Sequence, residues 1–237
     1  MKAMIRMKNI RRVFLGIAAL CVVGTSVAQT LYYDRASFLT DSRVFGTTTI
    51  DFDGFTAGTD LTGQTILGAT LTSTGTNSLI VIAGSTGVRF PMSPSSGLNV
   101  LSPGGSDTSL EDDGLVVSFT VPMRAAGLDV VFDVPDGASF VGVSFYALSD
   151  VLIAQDTFIP APNGAPGYQF VGLVNDTALI SKIVVSEFDG SPSDDHVAYD
   201  SLVFLAVPEP ATVLTLALGV AALIFAAHRK KQAARSA

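Results

Sequence analysis

Acids and hydroxyls must carry whatever chemistry this chain performs, because little else is present. Between Gln29 and Ala206 stand twenty Asp and Glu against five Lys and Arg, with one histidine, His196, and no cysteine. No His-Glu-x-x-His, Gly-x-Ser-x-Gly or Gly-rich phosphate loop occurs. A single histidine among acids is a poor zinc set. Asp195-His196 beside a serine would begin a nucleophilic relay, but a loop so rich in Asp ordinarily leaves its histidine solvated. Two carboxylates about 5–9 Å apart would suit glycoside hydrolysis. With twenty acids such a pair would mean little by itself, and a glycan-active enzyme would also need a deep cleft. The residues read as a binding or matrix module, not an enzyme.

Binding has better material. Asp200 shares strand parity with Leu202 and Phe204, which predicts that it points toward the apolar face. A lone carboxylate there is costly unless paired or metal-bound; the alternative is a solvated position at a frayed strand start. Glu111-Asp112-Asp113-Gly114 lacks the spacing of an EF-hand loop and reads as a solvated turn. Exposed aromatic rings can stack on sugars. The chain has no Trp, so Tyr146, Tyr168 and Tyr199 are the candidate platforms, ahead of Phe170. Each could equally serve the core or its rim. A charge of about −15 between Gln29 and Ala206 repels nucleic acid and anionic headgroups, so neither is an expected partner of that region.

These residues need strands to position them. Leu115, Val117, Phe119 and Val121 alternate with Val116, Ser118 and Thr120; Leu128, Val130, Phe132 and Val134 alternate with Asp129, Val131 and Asp133; a third such run spans 141–147. Period two predicts strands with one buried face and puts Asp129 on the other. Turn clusters such as Pro135-Asp136-Gly137 and the Asp189–Asp194 stretch separate the runs. The pattern predicts an all-β fold, an antiparallel β-sandwich of jelly-roll type, as one domain over 29–206. One short helix is expected from Asp34 to about Asp41.

Both ends read as export signals. Lys2, Arg6, Lys8, Arg11 and Arg12 precede an apolar run from Val13 to Val23, and Ser26-Val27-Ala28 offers small residues for cleavage before Gln29. This predicts a signal peptide over 1–28, removed by signal peptidase between Ala28 and Gln29; the alternative is an uncleaved anchor. Leu20 before Cys21 argues against lipid attachment. At the other end, Val207-Pro208-Glu209-Pro210 is followed by an uncharged run from Val213 to Ala227 and by Arg229, Lys230 and Lys231. As a helix that run would be about 22 Å long. It comes close to spanning a membrane once its neighbours and the snorkelling bases are added, with the bases on the cytoplasmic side. A buried core helix is the alternative.

The order Pro-Glu-Pro, apolar segment, basic end closely resembles the PEP-CTERM sorting signal. The match covers Val207 to about Arg235, within a 207–237 segment made of motif, transmembrane helix and basic tail. The resemblance implies an inner-membrane precursor processed by an exosortase near Pro208-Glu209-Pro210. It also implies a cell-surface or matrix destination linked to exopolysaccharide or biofilm. The Arg35–Leu39, Thr49–Phe55 and Asp195–Phe204 stretches look like helix and strand patterns of many PEP-CTERM ectodomains. This implies a sandwich related in shape to carbohydrate-binding modules. In such folds a structural calcium joins an acid near the first strand, here Asp51 or Asp53, to one near the last, here Asp200, with Asp194 or Asp195 as further ligands. The expected role is structural or adhesive and non-catalytic, with extracellular polysaccharide as partner. A calcium-dependent carbohydrate-binding module is the alternative.

Overall fold

A computed structural model describes residues 29–41, 43–83, 94–103, 114–132, 140–158, 167–188 and 197–206. Its organising element is one long strand, β7 (Leu115–Phe132). The first half of β7 pairs on one side with β4 (Ala69–Ser73), which continues to β3 (Thr65–Ile66). On the other side lies β11 (Ile180–Phe188), followed outward by β8 (Phe140–Tyr146) and β9 (Leu152–Phe158). The second half of β7 lies between β10 (Gly167–Val174) and β12 (Val197–Ala206). Beyond β10 lies β1 (Thr30–Tyr32). Beyond β12 lie β2 (Thr48–Ile50) and β6 (Asn99–Pro103), the latter paired with β5 (Leu79–Ala83). All these pairings are antiparallel, as the alternating runs predict.

The runs read as two strands, 115–121 and 128–134, belong to the same strand as far as Phe132, the last described residue of the second run. Pro122 lies where they meet and lacks the N–H that continuous pairing would use. The registers with β11 and β12 both slip near Met123. The irregularity bends the ribbon without ending it. Leu71, Val117, Val143, Ile183 and Val185 from one half therefore share a core with Leu128, Val130, Leu173, Tyr199, Leu202 and Phe204 from the other. This is an all-β sandwich, with one strand common to both halves.

Two local readings change. The stretch expected as a strand over Thr49–Phe55 pairs only as far as Ile50; Phe52 is buried in the left-handed region (φ 60°), where the chain turns. In β12, Ser201 has φ 46° and the register with β7 slips between Asp200 and Val203. That bulge reverses the side-chain alternation. Tyr199 and Leu202 both face the main core, so Asp200 lies on the opposite side from Leu202 and Phe204. Among the described residues no helix is long and apolar enough to cross a membrane. The leader over 1–28 and the segment over 207–237 lie outside them.

Candidate functional site

The outer face of the β10–β7–β12 ribbon is roofed by the helix the sequence predicts, α1 (Arg35–Thr40). Asp34 caps it, its carboxylate accepting from the Ser37 N–H at 2.7 Å. Phe38 is fully buried beneath it, with its ring 5.2 Å from that of Phe170. Gly127 and Gly172 face each other across β7 and β10. A Cβ on Gly172 would lie 2.7 Å from Phe170 and 2.9 Å from Phe38. The helix can approach only because both positions lack side chains. Its far end is fixed by Arg43, which bonds Asp41, Asp176 and Thr30.

Roofing changes what the ribbon's outer face can hold. Asp129 of β7 and Asp200 of β12 are directly opposed and wholly buried. Arg35 reaches down from α1, donating to one oxygen of Asp129 and, at 2.9 Å, to the Ser201 carbonyl. Its guanidinium lies 5.4 Å over the Phe170 ring. The other Asp129 oxygen has no hydrogen-bond partner among the described residues. Burial pushes the Asp129 carboxyl up to about 6, and the neighbouring Asp200 charge adds to this; the Ser95 hydroxyl and Arg35 pull the other way. Asp200 is also raised by burial, against the hydrogen bonds it accepts. Those come from Ser95 Oγ (2.9 Å), Ser96 N (2.7 Å), Ser96 Oγ (3.0 Å) and Ser201 N (2.6 Å). Asp129, which alternation assigns to the solvent side, is thus buried by α1.

Beside this cluster, between α1 and β10, lies a cleft of about 460 Å³. Tyr33 and Tyr168, each about half exposed, stand in its lining with Leu39; its charged residues are the exposed Asp34, Arg35 and, beneath Arg35, the buried Asp129. Gln169 donates its side-chain amide to the Tyr33 and Phe170 carbonyls at 2.7 and 3.0 Å, tying the segment after β1 to β10. The neighbouring Asp156 carboxylate of β9 raises the Tyr33 phenol above its ordinary value, and burial adds to this. The cleft therefore offers flat aromatic faces beside fixed polar groups, an arrangement suited to a ring that is apolar on its faces and polar at its edge.

The sequence candidates separate on this frame. Tyr168 lines the cleft. Tyr146 is partly buried elsewhere, under the Lys182 ammonium at 4.7 Å. Tyr199, only 1% exposed, belongs to the main core and presents no face for stacking; likewise Phe170 is buried beneath Arg35. Asp51 and Asp53 are exposed, and Asp53 accepts from the Leu98 and Asn99 N–H groups at 2.8 and 3.0 Å. Asp53 and Asp200 thus hold neighbouring parts of one loop, 95–99. Among the described residues no group of three or more Asp, Glu, His or Cys is placed to hold a metal. Asp194, Asp195, His196, Ala28, Val207 to Pro210 and Arg229 to Lys231 lie outside them. Nothing in the local sequence marks Tyr33, Arg35 or Asp129 as a site residue. The one available signal was an acid within the apolar run Leu128–Phe132, which alternation explained away.

None of the curated proteins matches this chain. Among solved structures it is similar to the K2 cleaved adhesin domain of Lys-gingipain, at 12% identity and TM-score 0.41 over 67% of this chain and 99% of that one. An arabinose-bound MgGH51 α-L-arabinofuranosidase overlaps at 15% identity and TM-score 0.42, over 65% of this chain and 25% of that one. The CBM22-1 xylan-binding domain of Paenibacillus barcinonensis Xyn10C overlaps at 11% identity and TM-score 0.37, over 68% and 95%. Beyond the sandwich, residues 206–230 match the PEP-CTERM protein-sorting motif. That match begins on the last residue of β12 and takes in the Pro-Glu-Pro core, the apolar run and the first bases, so this chain carries a PEP-CTERM protein-sorting motif at residues 206–230.

Proposed function

We propose that the chain is exported behind a cleaved leader, held in the inner membrane by its C-terminal segment, and processed by an exosortase near Pro208-Glu209-Pro210. The product is a non-catalytic, structural or adhesive sandwich of jelly-roll kind at the cell surface or in the polysaccharide matrix. The observation that carries this reading is the placement of the sorting motif. The last described strand ends at Ala206, where the motif begins, so processing near Pro208 would leave every described strand of the sandwich intact. Pro208 and Pro210 lack the N–H groups that sheet pairing needs, which favours an extended peptide that a protease can engage. Replacing Pro208-Glu209-Pro210 with three alanines should leave the unshortened chain in the membrane fraction, read by intact mass. Unchanged shortening would overturn the proposal.

The cleft favours a second reading, a specific glycan-binding module, because two half-exposed tyrosines stand there beside a buried charged pair. A neutral glycan fits best: the arginine that lines the cleft is already paired with Asp129, and the surrounding surface is strongly acidic. In its calcium-dependent version Asp53 and Asp200 would share an ion through the loop they both hold.

A further inference from the structure

The strand registers bring both ends of the sandwich to one tip. Thr30 of β1 pairs with Val174, Val174 with Ala125, and Ala206 of β12 with Met123. The chain therefore arrives from the leader and departs toward the apolar 213–227 run at the same end of the ribbon. The other half of the sandwich reaches this end at the β3–β4 turn, at the β7 bend and at the β8–β9 connection, because Ser118, Lys182, Tyr146 and Leu152 form one cross-strand row just short of it. The loop before β2 also lies here, since Thr48 pairs with Phe204.

Apolar side chains are exposed at this tip to an unusual degree. Phe45 is 90% exposed, Leu67 66%, Leu148 65%, Val151 60%, Leu152 49% and Val121 43%. They come from four separate stretches of chain that the topology gathers at one end. The charge differs too. Arg43, Arg124 and Lys182, three of the four described bases, stand at this end and balance Asp41, Asp176 and Asp150. Among the other described residues acids outnumber bases, so of the described surface this part is the least repelled by anionic headgroups. Exposed apolar side chains gathered this way mark an interaction surface.

We propose that the tip bearing Phe45, Leu67, Val121, Leu148, Val151 and Leu152 docks on the phospholipid surface of the membrane that holds the precursor. The proposal rests on the membrane-anchored reading given above. The segment from Val207 to Thr212 is six residues, a reach of about 20 Å at most when extended, so the tip stays close to the bilayer for as long as the anchor is attached. Its apolar side chains enter the headgroup boundary while its paired charges remain wet. Docking holds the Pro-Glu-Pro site at the membrane surface, within reach of a membrane-embedded protease.

The test uses the full 237-residue chain in a Cys21→Ser background, reconstituted in phosphatidylethanolamine–phosphatidylglycerol vesicles. Single-cysteine variants Leu148→Cys and Val151→Cys at the tip, and Phe140→Cys at the opposite end of β8, each carry an environment-sensitive dye. Shallow doxyl-labelled lipid should quench both tip probes severalfold and leave the Phe140→Cys probe unaffected. If the chain floats with the vesicles but the tip probes are no more quenched than the control, the docking proposal falls and the anchor reading stands. Tip probes shielded from aqueous acrylamide without lipid quenching would mean that a second copy covers the patch, and would also overturn it. A chain that does not float overturns both.

Discussion

At Asp129 a carboxylate is held entirely out of water, paired with Arg35 and directly opposed to a second buried acid, Asp200. The folded state retains the Asp129 proton up to about pH 6, whereas the unfolded chain releases it near pH 4. The folded form thus binds more protons between those values. Stability is highest below the unfolded pKa and falls as pH rises through about 6, a difference of about 3 kcal/mol for this group at full effect. Asp200, also raised, acts in the same direction. Asp129→Asn, which cannot ionise, should lose much of that slope. Urea denaturation at pH 4.5 and 7.5 reads it: the variant should gain on the wild type as pH rises, and a pH-independent gap between the two would refute the assignment. Tyr168 makes a separate residue-scale case. Its ring is exposed in the cleft and contributes nothing to the main core, so Tyr168→Ala should abolish retardation of the protein in gels containing a neutral polysaccharide while leaving the melting temperature nearly unchanged. Equal retardation of variant and wild type would remove the cleft as the glycan site. Chelator-sensitive retardation would assign the calcium-dependent version.

Among the elements, α1 was legible and its consequences were not. Asp34 as cap, Phe38 as the inward apolar residue and Asp41 as the stop are local signals. The glycines that admit the helix, Gly127 and Gly172, lie on other strands far along the chain, and Arg35 is 94 residues from the acid it meets. No periodicity connects such positions. The same limit explains Asp200: a bulge at a serine with positive φ carries no residue-type mark, so an alternation extended through it comes out on the wrong face. β7 shows the converse, since two alternating runs separated in the sequence belong to one strand, with Pro122 lying between them. The facing glycine pair gives an element-scale prediction. Gly172→Ala should push Phe170 and Phe38 outward and cost about 1–3 kcal/mol in chemical denaturation, as overpacking does. It should also weaken any ligand of the cleft, because α1 forms one of its walls. A variant with wild-type stability would show that the roof is looser than its contacts imply.

At the scale of the whole molecule, the all-β class and the C-terminal sorting motif were legible because each is written in a contiguous stretch: alternating runs for the sandwich, and Pro-Glu-Pro with its apolar and basic sequel for the motif. The cleft was not, because its walls come from α1, the segment after β1 and β10. The layout of strands has a mechanical consequence. A polymer held at Tyr168 would load β10 near its first residues, opposite Val131, whereas an attachment beyond Ala206 loads β12 at its last. β7 lies between these two strands, and the line of force runs along all three. Tension would then act on the interstrand hydrogen bonds together, in shear, instead of peeling them one at a time. A tether drawn tight by flowing water would meet this sandwich in its most force-resistant direction.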